Sequence, residues 1–287
     1  VKLVGDEPGF LLESVEHGER WSRFSFVGRR PRATLISRGG KLTVEGTLPG
    51  SVPLDRGMLG AIESLLELYR APLFPELPPL QGGVMGYLGY DVVREVEHLP
   101  NVPHDDRNMP DAIMSVIGSL AAFDHWRQRV YLIESVPVLG MSAHELDAAY
   151  DAAVTRVEEA VADLARPLAY APVPPPDPSD ERPVLTSSMP NGQYQRAVEV
   201  AKEYIRAGDI FQVVLAQRFD LQLDADPFDM YRVLRQVNPS PYMYFVRHPE
   251  VTLVGSSPEP MVQLLQGRVI SRPIAGTRRR GRTDEDD

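Results

Sequence analysis

Two spacings of apolar residues alternate along the chain. Over 58–69 they return every three or four positions, the period that lays one face of an α-helix against a core, and the prolines of 71–80 then break the chain into a loop. Ser142 and Glu145 form a capping-box pair ahead of Leu146, Tyr150, Val154, Val157, Val161 and Leu164, which predicts a long amphipathic helix. Further on, Tyr194, Val198, Ala201 and Ile205 share one helical face, with Gly208 placed to stop the helix. Asp226 and Pro227 read as the N-cap and first residue of a helix reaching about position 237.

Strand-like runs lie at 10–14, 24–27, 84–90, 113–123 and 129–136, and again at 210–223, 242–247, 251–255, 261–265 and 268–272. The longest uncharged apolar stretch, 112–123, is shorter than the ~20 residues of a membrane-spanning helix and predicts one buried strand. Gly83, Gly86 and Gly89 have the wrong spacing for a dinucleotide fingerprint and predict close packing within a strand. Runs of strands interrupted by single helices predict an α+β fold rather than strict βαβ repetition.

Seven prolines fall within 166–183, and because proline fixes φ and removes a donor, this stretch predicts an extended linker. It divides the 287 residues into a unit at 1–166, a linker at 167–183 and a second unit at 184–287, in keeping with about 150 residues per domain. The formal charge of −10 leaves no general basic surface, which argues against nucleic acid as a partner. Cysteine is absent, which removes disulfides, thiolate metal sites and cysteine nucleophiles together and fits a cytoplasmic chain with no membrane partner. Lysine occurs only at Lys2, Lys41 and Lys202, leaving few candidates for Schiff-base chemistry. The start, Val-Lys-Leu-Val, has neither a Met nor a leader, so the expectation is a trimmed or partial chain.

No P-loop lysine motif occurs, no histidine has the i+4 partner of a zinc helix, and Gly255-Ser256-Ser257-Pro258 lacks the second glycine of a nucleophile elbow. Four segments carry chemistry beyond packing. Leu11-Leu12-Glu13-Ser14 ends an apolar strand on a carboxylate and a hydroxyl, which suits either a strand emerging into solvent or a polar contact. Asn238-Pro239-Ser240-Pro241-Tyr242-Met243-Tyr244-Phe245 sets a rigid turn against aromatics and a thioether, which fits a core connection or a seat for a flat aromatic ligand. The run from Gly208 to Gln217 holds Gln212 and Gln217 among apolar residues, and a buried amide must find partners. Finally, Glu259 in GSSPE and Gly276 and Thr277 in RPIAGTR combine a freed backbone, a hydroxyl and nearby arginines, suited to a small carboxylate ligand.

Taken in order, LLES, RFSFVG, the proline stretch, GDIFQVVLAQR, NPSPYMYF, GSSPE and RPIAGTRRRGRT resemble the large subunits (component I) of anthranilate synthases, within the chorismate-utilising enzyme family. The resemblance implies mixed, largely antiparallel sheets packed with helices. It also implies an enzyme taking chorismate, ammonia from a glutamine amidotransferase small subunit and Mg²⁺ to anthranilate and pyruvate, feedback-inhibited by L-tryptophan, in a hetero-oligomer. Carried over by motif, Ser14, Pro241, Tyr242 and Met243 line the tryptophan site with Glu13 beside it, the Ser and Glu oxygens accepting from the amino end of the ligand. Gly276 and Thr277 contact chorismate, and Gln212, Glu259 and Ala275 sit near the substrate.

Within the family, isochorismate and salicylate synthases place a water-activating lysine where this chain has Gln212, and the para-aminobenzoate branch places a lysine at Ala275. Neither Gln nor Ala does that work, so the resemblance favours anthranilate. The alternatives are the aminodeoxychorismate synthase large subunit and a non-catalytic tryptophan-sensing module. The family's metal-binding glutamates and catalytic histidine match nothing in the chain, and the acidic tail from Asp284 reads as solvated. The expectation is therefore that no catalytic or Mg²⁺-binding residue lies here and that this polypeptide alone does not complete the reaction.

Overall fold

Six antiparallel strands drawn from both ends of the sequence form the main sheet. The computed structural model describes residues 1–15, 23–48, 52–168, 170–177, 179, 181, 183–274, 276 and 279–286. Strands β1 (Gly9–Glu13) and β2 (Phe24–Arg29) open the chain and pair with each other. The hairpin β3 (Ala33–Arg38) and β4 (Lys41–Gly46) follows, turning at Gly39 and Gly40, whose φ values of 55° and 75° are the left-handed pair that a two-residue turn requires. After helix α1 (Gly57–Leu68) come β5 (Val84–Leu88), β6 (Ala112–Val116), β7 (Ser119–Asp124) and β8 (Arg129–Glu134). Helix α2 (Ala143–Ala165) precedes the proline stretch. Beyond it lie β9 (Thr186–Ser187), α3 (Gln193–Ala207), β10 (Phe219–Asp220) and α4 (Pro227–Val237). The chain then forms β11 (Tyr242–His248), β12 (Val251–Ser257), β13 (Gln263–Leu265) and β14 (Arg268–Ile270).

The main sheet runs β12-β11-β1-β2-β7-β8 and a second sheet runs β4-β3-β6-β5, all neighbours antiparallel. The fold is α+β, and its main sheet crosses the proline stretch, since β1 is flanked by β2 on one side and β11 on the other. Alternation sorts the residues of the main sheet. Leu11, Val27, Ala121, Leu132 and Phe245 point to the face covered by α2 and α4, and Phe10, Leu12, Phe26, Leu120 and Val246 point to the other, where Met85 of the second sheet meets them. The second sheet packs Leu35, Leu42 and Ala112 on Met58, Ala61 and Leu65 of α1. Helix α1 starts without a capping side chain of its own; the Glu95 carboxylate instead accepts from the free backbone N–H groups of Met58 at 2.8 Å and Leu59 at 2.9 Å.

The local signals for helices hold in the structure. Ser142 and Glu145 complete the reciprocal capping box, Gly208 closes α3 at φ 82°, and Asp226 caps α4 with Pro227 in its first turn. Two strand expectations do not. The run 112–123 is two strands in different sheets, because the chain turns at Ile117 and Gly118, where a Cβ on Gly118 would lie 2.5 Å from the Arg30 carbonyl oxygen. The run 210–223 is irregular apart from β10, which pairs only with β9, and Phe211 and Val214 are 94% and 83% exposed. An apolar run becomes a strand only where a neighbouring edge supplies hydrogen bonds. No helix among the described residues is long and apolar enough to cross a membrane.

Candidate functional site

Strand β1 carries its only acid at its last position. The antiparallel register sets Glu13 opposite Ser25 of β2 on one side and Met243 of β11 on the other, so three chemically different side chains meet on the face covered by α4. The pairing continues one step past the strand end, where the Val15 amide donates to the Ser240 carbonyl at 2.9 Å. Ser14 and Pro241 therefore flank the same strand end. Ser240 is buried, and its hydroxyl lies 2.8 Å from that of Ser256. LLES and NPSPYM, at opposite ends of the sequence, are thus brought side by side. Their side chains divide between two faces: Glu13 and Met243 point toward α4, whereas Tyr242, the first residue of β11, points to the opposite face.

Helix α4 completes the carboxylate's surroundings. Glu13 Oε2 accepts from the Tyr231 hydroxyl at 2.7 Å and from Arg235 Nε at 3.1 Å, and Oε1 accepts from the Ser25 hydroxyl at 3.1 Å. Ser25 Oγ is in turn 2.8 Å from His125 Nε2. Because Ser25 has one proton, donating it to Glu13 leaves its oxygen to accept from a protonated Nε2, which gives a continuous chain from His125 to Glu13. Tyr231 is fully buried, and burial together with the adjacent Glu13 charge pushes its phenol well above the ordinary tyrosine value, so it remains a donor. Met243 is also fully buried and packs with Tyr231, Phe245, Leu11 and Val15 beneath the carboxylate. This aromatic, thioether and aliphatic floor under one anionic group suits a ligand with a cationic end and an apolar body.

The loop that carries His125 is anchored by Asp124. This buried carboxylate accepts from Arg23 at 3.1 and 2.6 Å and from the Trp126 and Arg127 amides, both at 3.2 Å. The hydrogen bonds from Arg23, aided by those two amides, hold it at about 2, below the ordinary 3.8. A depressed carboxylate stabilises the fold above its unfolded value and loses that contribution as pH falls through its folded value. Asp124→Asn should therefore destabilise the chain at pH 5, with the gap to the native chain closing between about pH 4 and 2. Urea midpoints across that range measure it; a gap independent of pH would refute the assignment.

The substrate-side residues are less closely assembled. Glu259 Oε1 accepts from the Ile274 amide at 2.7 Å, which draws GSSPE against RPIAGT. Gly276 is exposed, with open space where a Cβ would stand, while Ala275 and Thr277 lie outside the described residues. Gln212 is exposed rather than buried, and no hydrogen bond among the described residues links it to the other two segments; Gln217 instead donates to Ser187 Oγ at 2.6 Å. Among the described residues no group of three or more metal-ligating side chains converges. Ser25, His125, Tyr231 and Arg235 are the site residues that sequence reasoning missed. Ser25 stands within RFSFVG, and Tyr231 and Arg235 have the i, i+4 spacing of one helical face, but neither signal names Glu13 as the partner.

Three comparisons bear on this arrangement. The sequence profile described as chorismate binding enzyme matches residues 11–287. Anthranilate synthase component 1 of Mycobacterium tuberculosis (strain H37Rv) is 39% identical over 305 aligned positions, covering 100% of this chain and 57% of that protein. The protein of the same name from Acetivibrio thermocellus is 37% identical over 281 positions, covering 97% and 56%. The crystal structure of anthranilate synthase component I from Streptococcus pneumoniae TIGR4 superposes with a TM-score of 0.70 at 28% identity, covering 89% of this chain and 55% of that one. The chain spans little more than half the length of the curated relatives it matches.

Proposed function

Because the chain belongs to the chorismate binding enzyme family, we propose that it serves the formation of anthranilate from chorismate, with the strand-end site around Glu13 holding L-tryptophan as a feedback inhibitor. In this reading ammonia, released by a glutamine amidotransferase subunit, adds at C2 of chorismate, the C4 hydroxyl departs, and pyruvate is eliminated. Residues 184–287 contribute part of the chorismate site through Gly276, Thr277, Glu259 and Gln212, with alanine at 275 leaving ammonia as the nucleophile. Residues 1–166 supply the other half of the inhibitor site. The chemistry and its Mg²⁺ depend on groups that match nothing in 1–287. The polypeptide alone, given chorismate, ammonia and Mg²⁺, is expected to form no anthranilate, and its detection would overturn that assignment.

The observation that carries the inhibitor reading is the register of β1 and β11, which sets Glu13 opposite Met243. Tryptophan offers an ammonium for the Glu13 carboxylate and an indole for the Met243 side of the strand end, with Ser14, Pro241 and Tyr242 bordering the same end, Tyr242 from the other face. A ligand held at this strand end would bias the contacts between the main sheet and α4, which is how inhibition would reach the substrate side. Ser14→Ala and Met243→Thr should each weaken L-tryptophan binding about tenfold, the loss of one hydrogen bond or one good apolar contact. Isothermal titration of the 287-residue chain measures this. Unchanged affinity in both variants would sink the inhibitor reading.

A further inference from the structure

The Glu13 carboxylate, which the reading above reserves for an ammonium group, already holds a cation. Arg235 Nε is 3.1 Å from Oε2, the same oxygen that accepts from Tyr231 at 2.7 Å. A carboxylate oxygen has two lone-pair directions, so Oε2 is filled and Oε1, accepting from Ser25, has one left. The two donors from α4 differ in their freedom. The Tyr231 ring is wedged between Phe228, stacked at 5.9 Å, and Phe245, edge-on at 6.0 Å. The Arg235 side chain, four positions later on the same helical face, is 48% exposed and can exchange its partner for water at little cost. The remaining charged neighbours on α4 are turned elsewhere: Arg232 pairs with Asp229 at 3.0 Å and lies over the Tyr170 ring, and Tyr170 donates to Asp229 at 2.9 Å.

We infer that Arg235 is a built-in competitor for the ammonium group of the amino-acid effector, and that Tyr231 is the positioning residue that keeps the carboxylate in place while the two cations exchange. The inference rests on the inhibitor reading of the site. An arriving ammonium meets a carboxylate whose charge is already balanced and a guanidinium of like sign beside it. Arg235 therefore raises the effector concentration needed for occupancy. Because Arg235 and Tyr231 share α4, the exchange alters the contacts of that helix and leaves the pairing of β1 untouched. Effector binding is thereby reported to the segment that leads into NPSPYM.

The test compares L-tryptophan with indole-3-propionate, which has the same ring and a carboxylate but no ammonium, by isothermal titration of the 287-residue chain. In Arg235→Met, L-tryptophan should bind about threefold to fivefold tighter, the scale of a half-exposed ion pair, with no gain for indole-3-propionate. The gain should shrink as salt is raised, since screening removes the competition. Arg235→Lys, which keeps the charge, should stay close to the unsubstituted chain, and Tyr231→Phe should weaken L-tryptophan alone. Equal or weaker L-tryptophan binding in Arg235→Met, or an equal gain for indole-3-propionate or in Arg235→Lys, would overturn the competitor role while leaving the inhibitor site standing. No L-tryptophan binding by the unsubstituted chain would instead remove the inhibitor reading, and the competitor role with it.

Discussion

Glu13→Ala should reduce L-tryptophan affinity by roughly 10- to 150-fold, the equivalent of one charge-assisted hydrogen bond of about 1.5–3 kcal/mol. It should also lower stability, because the buried Tyr231 hydroxyl loses the oxygen 2.7 Å away, a penalty of about 1–3 kcal/mol. The two effects can be separated. Glu13→Gln keeps a carbonyl oxygen for Tyr231 and removes only the charge, so its urea midpoint should stay near that of the unsubstituted chain while binding falls nearly as far as in Glu13→Ala. A Gln variant that binds L-tryptophan normally would show that the carboxylate charge is not what the ligand needs.

The largest stability loss is expected at Gly86, in the middle of β5. A Cβ there would lie 1.8 Å from the Ile113 carbonyl oxygen and 2.9 Å from the Met114 Cα, both backbone atoms of the strand with which β5 pairs. A side chain can rotate out of the way, but this backbone can move only by giving up the ladder between β5 and β6. Gly86→Val should therefore cost at least about 3 kcal/mol, at the upper end of overpacking penalties, and lower the melting temperature by roughly 6–10 °C. Gly276 gives the contrast: with nothing within 4 Å of its Cβ position, Gly276→Ala should stay within about 0.5 kcal/mol of the unsubstituted chain. Thermal unfolding followed by circular dichroism measures both, and a melting temperature for Gly86→Val within 2 °C of the original would show that β5 can shift without losing its partner.

What the sequence discloses here is governed by the distance over which each interaction acts. Ser142 with Glu145, Asp226 with Pro227, and Gly208 are complete within one helical turn, and each marks a helix end that the structure reproduces. Strands need partners that the local pattern does not name. The apolar run at 112–123 gives no hint that its two halves serve different sheets, because only Ile117 and Gly118 separate them. The run at 210–223 has the composition of a strand but finds an edge only at Phe219 and Asp220. Strands β3 and β4 escape a reading based on apolar runs because polar Thr34, Ser37, Lys41, Thr43 and Glu45 interrupt them, although the Gly39-Gly40 turn was a usable hairpin signal. For the site, the motifs supply Glu13 and Met243 but not their adjacency. That Tyr231 and Arg235 serve the same carboxylate depends on α4 lying across the end of β1, which no local period encodes.

The strand order also sets a timetable for synthesis. Strand β1 leaves the ribosome well before β11 and can pair with β2 as soon as that strand follows, yet its other edge belongs to β11. Tyr231, which satisfies the Glu13 carboxylate, is 218 positions later, a delay of roughly 10–45 s at ordinary elongation rates. Through that interval the nascent chain presents an unpaired apolar edge ending in a carboxylate still in water, and an unpaired edge is what recruits strands from other chains. A charge at the tip of GFLLE should discourage pairing with the wrong strand until β11 and α4 arrive, which gives Glu13 a part in folding separate from any ligand.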